Sequence, residues 1–255
     1  MSILDQFKLD GKVAVITGAS KGIGEAIAEA FGEAGAKVVV SSRKQDAVDE
    51  VAARLKGKGI DALAIAANAG NIDELDNLVN KTIAHYGGID IVVNNAATNP
   101  VFGPVIQTDE KAFDKIMDVN VKGPFELSKR AYESMKSRGG GSVINISSIG
   151  GLSPEHYLGI YSVSKAALIS LTKVMAKEWG VEGIRVNAIC PGLIKTKFSK
   201  ALWQNDQIAD MVKEKLAIKE FGEPEDIAGL ALYLASNAGK YATGAVFTSD
   251  AGLTI

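Results

Sequence analysis

Short apolar runs alternate along this chain with longer stretches in which apolar residues recur every three or four positions. The short runs are rich in Val, Ile and Ala, which predicts buried strands at residues 12–16, 62–67, 89–93, 142–146, 184–189 and 244–248 and another that starts at 37–40. The amphipathic stretches predict helices at 25–34, 47–55, 73–86 and 109–135, a helix that carries Tyr161 and runs to Trp179, and a helix from Glu223 to about Ser236. This alternation, without a linker or repeat, predicts an α/β fold: a doubly wound parallel sheet of about seven strands with helices on both faces, in a single domain over residues 1–255.

Three features modify this pattern. Gly123-Pro124 is expected to interrupt the helix at 109–135. The Tyr161 helix is apolar almost all round, so we expect it to be buried on more than one side, for example against a second subunit. Residues 193–221 include helical material with scattered large apolar side chains, and we interpret them as an inserted substrate loop and helix.

A glycine-rich segment joins the first strand to the first helix. Thr17-Gly-Ala-Ser-Lys-Gly-Ile-Gly24 places glycines where the backbone can turn sharply and approach a phosphate at a helix N-terminus. The spacing differs from the more familiar G-x-G-x-x-G, and alone it is a weak signal. Its position between strand and helix favours a Rossmann-type dinucleotide site.

The second strand ends in Ser41-Ser42-Arg43-Lys44, with no acid before Asp46. An acid near this point accepts hydrogen bonds from the ribose of NAD, whereas arginine suits the 2′-phosphate of NADP. Lys21 adds a second cation from the glycine loop. We therefore expect NADP(H), with NAD(H) as the alternative, and we expect Asn68, at the end of the third strand, to lie beside the adenine.

Tyr161 and Lys165 are four residues apart, so they share one face of their helix. A phenol has a pKa of about 10, and a neighbouring ammonium lowers it, which suits a general acid or base. Ser148, at the end of the fifth strand, is expected to hold a substrate oxygen by a hydrogen bond. Taken alone, this spacing more often belongs to a core tyrosine and a surface lysine.

Composition narrows the function. The 255 residues carry a net charge of −2, and no basic patch favours nucleic acid as a partner. No signal-peptide pattern or membrane-spanning apolar run is present, so we expect a cytoplasmic protein without a membrane partner. The single cysteine, Cys190, is interpreted as a small buried residue, and with two isolated histidines it predicts no metal site.

With these motifs in order, the chain resembles the short-chain dehydrogenase/reductase family over essentially its full length. Thr17–Gly24 is similar to the family's T-G-x-x-x-G-x-G loop, Asn94-Asn-Ala-Ala97 to its N-N-A-G motif with Ala97 in place of glycine, and Pro191–Thr196 to its P-G-x-x-x-T segment. Four residues fall where the family's catalytic tetrad is expected: Asn120, Ser148, Tyr161 and Lys165. Within the family, the chain looks similar to NADP-dependent carbonyl reductases.

The resemblance implies a mechanism in which Tyr161 protonates a carbonyl oxygen oriented by Ser148 while the nicotinamide gives hydride to the carbon. It implies that Lys165 lowers the pKa of Tyr161 and binds the nicotinamide ribose, that Asn120 holds a water that connects Lys165 to solvent, and that Ile194 and Thr196 hold the carboxamide. It also implies a homotetramer with the Tyr161 helix at an interface. The residues expected to bind the cofactor are Gly18, Ser20, Lys21, Gly22, Ile23, Gly24, Ser42, Arg43, Lys44, Asn68, Asn95, Ala96, Tyr161, Lys165, Pro191, Gly192, Ile194 and Thr196.

The substrate is expected to be an apolar or aromatic ketone or aldehyde. Candidate pocket residues are Phe102, Leu152, Tyr157, Leu158, Leu193, Leu202 and Trp203, and His156 is a further candidate contact. One alternative is a 3-oxoacyl-carrier-protein reductase, which needs a basic face near the mouth of the site, with Lys129, Lys136 and Arg138 the nearest candidates. The alternative from another class is a dinucleotide-sensing binding protein without catalysis.

Overall fold

The strands in the described part of the chain lie in one parallel sheet. The computed structural model describes residues 2–197, 199, 203 and 206–255. Within them the strands are β1 (Val13–Thr17), β2 (Lys37–Ser42), β3 (Ala62–Ala66), β4 (Ile91–Asn94), β5 (Gly141–Ile146), β6 (Ile184–Pro191) and β7 (Val246–Ser249). Their order is β3-β2-β1-β4-β5-β6-β7, and every neighbouring pair is parallel. The predicted fold class is confirmed, and the strand order reverses between β1 and β4, where doubly wound sheets bind ligands.

Helices cover both faces of this sheet. They are α1 (Ile23–Glu33), α2 (Gln45–Gly57), α3 (Ile72–Tyr86), α4 (Glu110–Met117), α5 (Gly123–Ser137), α6 (Gly159–Trp179), α7 (Asp206–Lys213) and α8 (Pro224–Ala235). The core on one face includes residues of α1, α2 and α8, and the core on the other includes residues of α3, α5 and α6. Strand β1 supplies both cores, because Ala14 and Ile16 belong to the first and Val15 to the second.

The long helix predicted at 109–135 is not broken at Gly123-Pro124. A wide π-type turn over Asp118–Lys122 joins α4 to α5, and Pro124 lies in the first turn of α5. Proline has no N–H to donate to the carbonyl four residues earlier, that of Asn120, so the backbone widens just before it. The interruption therefore lies N-terminal to the predicted position.

Two further sequence predictions change in the structure. Strand β6 extends through Cys190 and Pro191, which were expected to begin a turn, because both pair with β7. The exposed face of α6 includes Val163 and Val174, which are 52% and 47% exposed, so this chain alone buries less of the helix than its composition suggests.

Among the described helices, none is long and apolar enough to cross a membrane.

Candidate active site

The loop between β1 and α1 turns sharply at two glycines. Gly18 and Gly22 have φ angles of 66° and 61°, in the left-handed region that favours glycine. A Cβ on Gly18 would lie 2.7 Å from the Asn95 side-chain nitrogen, and one on Gly22 would lie 3.2 Å from Cγ2 of Thr196. The glycines therefore let this loop approach both the end of β4 and the segment after β6.

A large cavity opens along this loop and over the carboxyl ends of the strands, with a volume of about 1410 Å³. Gly18, Ser20, Lys21, Gly22 and Ile23 line it. No side chain caps the N-terminus of α1, whose N-cap residue is Gly22. Free N–H groups at a helix N-terminus, beside a loop whose glycines allow close approach of the backbone, fit the pyrophosphate of a dinucleotide.

Asn95 and Thr17 hold this loop against β4. Nδ2 of Asn95 donates to the carbonyl oxygens of Thr17 and Gly18, at 2.9 and 3.2 Å. The Thr17 hydroxyl accepts from the main-chain N–H groups of Asn95 and Ala96, both at 3.1 Å. The Asn-Asn-Ala-Ala segment thus has a structural role at the sheet switch point, and Asn95, Ala96 and Ala97 also line the cavity.

Only some of the residues expected to bind the cofactor line the cavity. Ser42, Arg43 and Asn68 line the cavity. Lys44 is the N-cap of α2 and lies outside that lining, as does buried Gly24. Oδ1 of Asn68 accepts from the N–H of Gly70 at 3.2 Å, which fixes the orientation of its amide.

Ser148 and Tyr161 meet at the wall of the same cavity. Ser148 follows β5 and its hydroxyl accepts from the N–H of Gly150 at 3.1 Å. It also makes a hydrogen bond with the Tyr161 side chain, which acts to lower the pKa of the phenol. Two separate elements, the end of β5 and the first turns of α6, therefore bring a hydroxyl and a phenol together in a cleft.

The pKa of Tyr161 is nevertheless raised, to about 12. Burial is the main cause, because a phenolate is poorly solvated there, and the charge of Glu155 adds to it. The Tyr-x-x-x-Lys spacing predicted the opposite direction. Burial thus favours the neutral phenol over the phenolate.

Burial also affects Lys165. Its side chain is 2% exposed, and Nζ donates to the main-chain oxygen of Ile146 at 2.8 Å. Burial lowers the pKa of this ammonium to about 8. Lys165 therefore lies in the cavity wall beside Tyr161, with a poorly solvated ammonium and the Ile146 carbonyl as a hydrogen-bond partner.

Asn120 lies fully buried in the wide turn before α5. Oδ1 accepts from the N–H of Thr98 at 2.8 Å, and Nδ2 donates to the Thr98 carbonyl and to Oγ of Ser164, both at 3.0 Å. Its side chain is thus committed to the loop after β4 and to α6. Asn120 is not among the cavity-lining residues, and its link to Lys165 through water stays a prediction.

The segment after β6 forms another part of the cavity wall. Pro191, Gly192, Leu193, Ile194 and Thr196 all line it. The indole of Trp203 donates to the carbonyl of Thr196 at 3.2 Å, so this tryptophan supports the segment from outside the lining. The candidate pocket residue Leu202 lies outside the described residues.

Phe102 and Leu158 line the cavity on the substrate side, as does His156. Leu152 and Tyr157 do not line it and are largely exposed. Tyr157 instead packs its ring against that of Phe102, with centroids 5.8 Å apart. Of the proposed apolar pocket, the structure therefore assembles Phe102, Leu158 and Leu193.

Some cavity residues were not singled out from the sequence. They are Glu155 and the charged side chains Glu110, Lys111, Asp114, Lys115, Asp118 and Lys197. Glu155 lies only six residues before Tyr161, within the loop that leads into the predicted catalytic helix, and that proximity was an available signal. The residues of α4 gave no such signal, because a charged helix face usually faces solvent.

The basic residues proposed to receive a carrier protein do not surround the cavity. Arg138 pairs with buried Asp90, which also accepts from the N–H of Val13 at the start of β1. Arg138 therefore lies at the amino ends of the strands, whereas the cavity lies at their carboxyl ends. Lys136 pairs with Glu182, and Lys129 lies over the ring of Phe125.

Cys190 is buried beneath the site, and burial raises the pKa of its thiol, as expected for a packing residue.

Comparisons with known proteins identify relatives of the chain. A family model described as enoyl-(acyl carrier protein) reductase matches residues 18–254. The chain is 44% identical to human dehydrogenase/reductase SDR family member 4 over 236 residues, which are 92% of this chain and 85% of that protein.

Solved structures agree over almost the whole chain. A gluconate 5-dehydrogenase from Burkholderia cenocepacia in complex with NADP and tartrate matches with a TM-score of 0.95 and 30% identity, over 99% of each chain. A 7α-hydroxysteroid dehydrogenase complexed with NADH and 7-oxo glycochenodeoxycholic acid matches with a TM-score of 0.94 and 35% identity, over 99% of this chain and 98% of that one.

Proposed function

The chain belongs to the short-chain dehydrogenase/reductase family, and on that premise we propose that it transfers a hydride between NADP(H) and the carbonyl carbon of an apolar or aromatic ketone or aldehyde. The observation that carries this proposal is the hydrogen bond between Ser148 and Tyr161 in the wall of a cavity that extends to the glycine loop. Such a pair can hold one carbonyl oxygen and protonate it.

Reduction is the direction that the proton chemistry supports. The neutral hydroxyl of Tyr161 can donate its proton to an oxygen that becomes negative, and its hydrogen bond with Ser148 acts to lower the pKa of the phenol against the rise that burial causes. Ser148 orients that oxygen from the neighbouring strand end. The nicotinamide cofactor, when bound, supplies the hydride, and the chain supplies position and proton.

The preference for NADP(H) is supported by charge. Arg43 and Lys21 line the cavity near the end of β2, where NAD-binding proteins often carry an acid. Guanidinium pairs with phosphate through two parallel hydrogen bonds, so Arg43 is the residue that we assign to the 2′-phosphate. The Burkholderia relative was solved with NADP, whereas the hydroxysteroid relative was solved with NADH.

An apolar substrate is supported by apolar side chains in the lining of the cavity. Phe102, Leu158 and Leu193 offer apolar surface there. The hydroxysteroid dehydrogenase, whose structure holds an oxo-steroid, shows that a closely similar backbone accommodates a bulky ring system. We therefore expect aryl ketones to be better substrates than short aliphatic ones.

The decisive experiment measures initial rates of reduction of a small aryl-ketone panel with NADPH and with NADH. Tyr161→Phe removes the proton donor, and general acid catalysis of this kind contributes about 10²–10⁴-fold, so kcat should fall by that factor. Tyr157→Phe is the matched control, because that ring lies outside the cavity lining. Ketone reduction that survives Tyr161→Phe would refute the assignment of Tyr161.

Acyl thioesters belong in the same assay as the test of the carrier-protein alternative. Because Lys129, Lys136 and Arg138 do not line the cavity, we expect free aryl ketones to be turned over faster than carrier-bound substrates. A binding protein without catalysis would instead take up NADPH, measured by fluorescence, and reduce no ketone in the panel.

A homotetramer is part of the same proposal. Val163 and Val174 lie exposed on α6, with Ala166 and Ser170 also exposed between them at helical spacing. A partner packed on this stripe would complete the burial that the apolar composition of α6 predicts. Light scattering of the purified protein measures the state, and Val163→Glu should lower the mass if α6 is the interface.

A further inference from the structure

Glu155 is an exposed residue that lines the cavity. It belongs to the loop between the short helical turn Ile149–Gly151 and α6, and it lines the cavity together with Ser148 and Tyr161. Its carbonyl oxygen accepts from the N–H of Leu158 at 3.2 Å. The same loop is tied to the opposite wall, because the N–H of Gly103 donates to the carbonyl of Tyr157 at 3.1 Å.

The charge of Glu155 reaches the reacting end of the cavity. It is one of the causes that raise the pKa of Tyr161, so its field is felt at the phenol. Partial burial raises the pKa of Glu155 itself, and the charge of Lys215 acts against that rise. No ion pair between described residues includes Glu155, so its charge is not cancelled by a direct partner among them.

The other charges of the cavity are distributed differently. Lys21 and Arg43 lie at the cofactor end, and Lys197 lies on the segment after β6. Helix α4 and the following turn present both signs, with Glu110, Asp114 and Asp118 against Lys111 and Lys115. Lys165, the cation nearest to Tyr161, donates to the Ile146 carbonyl.

We propose that Glu155 is a specificity-determining residue that selects, among ketones of similar shape, those whose remote end is neutral or cationic and rejects those that carry a carboxylate. This inference rests on the proposed ketone reduction and adds the charge class of its substrate. Two unit charges about 6–8 Å apart in a partly hydrated site interact strongly enough to change a binding constant by about ten-fold.

The test uses three acetophenones that differ only at the para position: aminomethyl, hydroxymethyl and carboxylate. The quantity measured is kcat/KM at saturating NADPH, expressed as the ratio of the cationic to the anionic ketone. Glu155→Gln should lower this ratio at least about ten-fold relative to the wild-type protein, because the intrinsic reactivities cancel in the comparison. Glu155→Lys should reverse the preference.

Two controls test whether the change in the ratio comes from the charge of Glu155 and not from any charge in the cavity. Glu110→Gln removes a carboxylate from another part of the same cavity and should leave the ratio within about two-fold. Raising the salt concentration from about 0.02 to 0.5 M should reduce the wild-type ratio and barely affect that of Glu155→Gln, because screening acts on exposed charges.

The outcomes distinguish the two levels of the proposal. If the neutral ketone is reduced by every variant while the ratio does not respond to Glu155→Gln, or responds equally to Glu110→Gln, the assignment of Glu155 is wrong and ketone reduction stands. If the wild-type protein reduces none of the three ketones, ketone reduction itself fails, and with it the role of Glu155.

Discussion

Nζ of Lys165 lies 5.6 Å from the centroid of the Tyr161 ring. The pair is close, but the ammonium gives its hydrogen bond to the Ile146 carbonyl, and burial moves both pKa values toward the neutral forms of the two groups. A charged lysine is therefore kept in a poorly solvated place at the expense of stability, which is a common feature of functional sites.

Lys165→Met should make the folded protein more stable while it abolishes ketone reduction. The pKa of Lys165 falls from 10.5 to about 8 on folding, which corresponds to about 3 kcal/mol of lost stability at pH 7, and loss of the Ile146 hydrogen bond returns about 1 kcal/mol of that. Urea unfolding at pH 7 measures the gain. Lys173→Met, at an exposed position of the same helix, is the control and should change little.

The stability gained by Lys165→Met should depend on pH in a definite direction. Between about pH 8 and 10.5 the unfolded chain keeps the Lys165 proton while the folded protein releases it, so wild-type stability rises with pH across this window. The difference between Lys165→Met and wild type should therefore shrink between pH 8 and pH 10. A constant difference would mean that Lys165 is not destabilised by burial.

Arg43→Ala should weaken the binding of NADPH and leave the binding of NADH nearly unchanged. Loss of a guanidinium–phosphate pair at a partly exposed site costs about 1.5–3 kcal/mol, or roughly 10–100-fold in KM for NADPH. The measurement is KM for each cofactor with one ketone. Lys44→Ala is the matched control, since Lys44 lies outside the cavity lining, and an equal effect of both variants would contradict the assignment.

Asn120→Leu should loosen the loop that starts at Thr98. The change removes the partner of both main-chain polar groups of Thr98, so we expect a loss of about 2–3 kcal/mol in the free energy of unfolding. Because Thr98 lines the cavity, a positioning role raises KM for the ketone more than it lowers kcat. A fall in kcat alone, with a changed solvent isotope effect, would instead support the proton relay implied by the family.

Asp90→Asn should destabilise the protein without changing its affinity for the cofactor. Burial acts to raise the pKa of Asp90, but the hydrogen bonds from Arg138, Val13 and Lys12 outweigh it, and its pKa lies below the ordinary value. The carboxylate therefore contributes stability above the pKa of the unfolded chain that is lost as the pH falls through the lower, folded pKa.

We expect a cost of about 2–4 kcal/mol for Asp90→Asn at pH 7, since Arg138 loses its charged partner, and a smaller difference from wild type below pH 4. Thermal unfolding at both pH values measures it, with cofactor affinity as the control. A variant that loses NADPH binding in proportion to stability would show that this pair also serves the cavity.

Much of the fold follows from local pattern. Strand β1 could be predicted because Val13–Thr17 is apolar at every position but the last, as burial on both faces of a parallel sheet requires. The glycine loop could be predicted for a steric reason, since Gly18 and Gly22 need left-handed backbone wherever the strand must turn into α1. Ser148, Tyr161 and Lys165 were found from spacing, which places them near one strand end and on one helix face.

The sequence by itself therefore determined which segments form strands and helices, where the chain turns, and which residue types are available at the ends of the strands. Only the tertiary structure decided what those residues contact. The partner of Lys165, the clamp of Asn120 on Thr98 and the entry of Glu155 into the cavity depend on residues from separate elements, and burial and hydrogen bonding are properties of the packed arrangement, not of spacing. For that reason the direction of the Tyr161 pKa shift could not be read from Tyr-x-x-x-Lys.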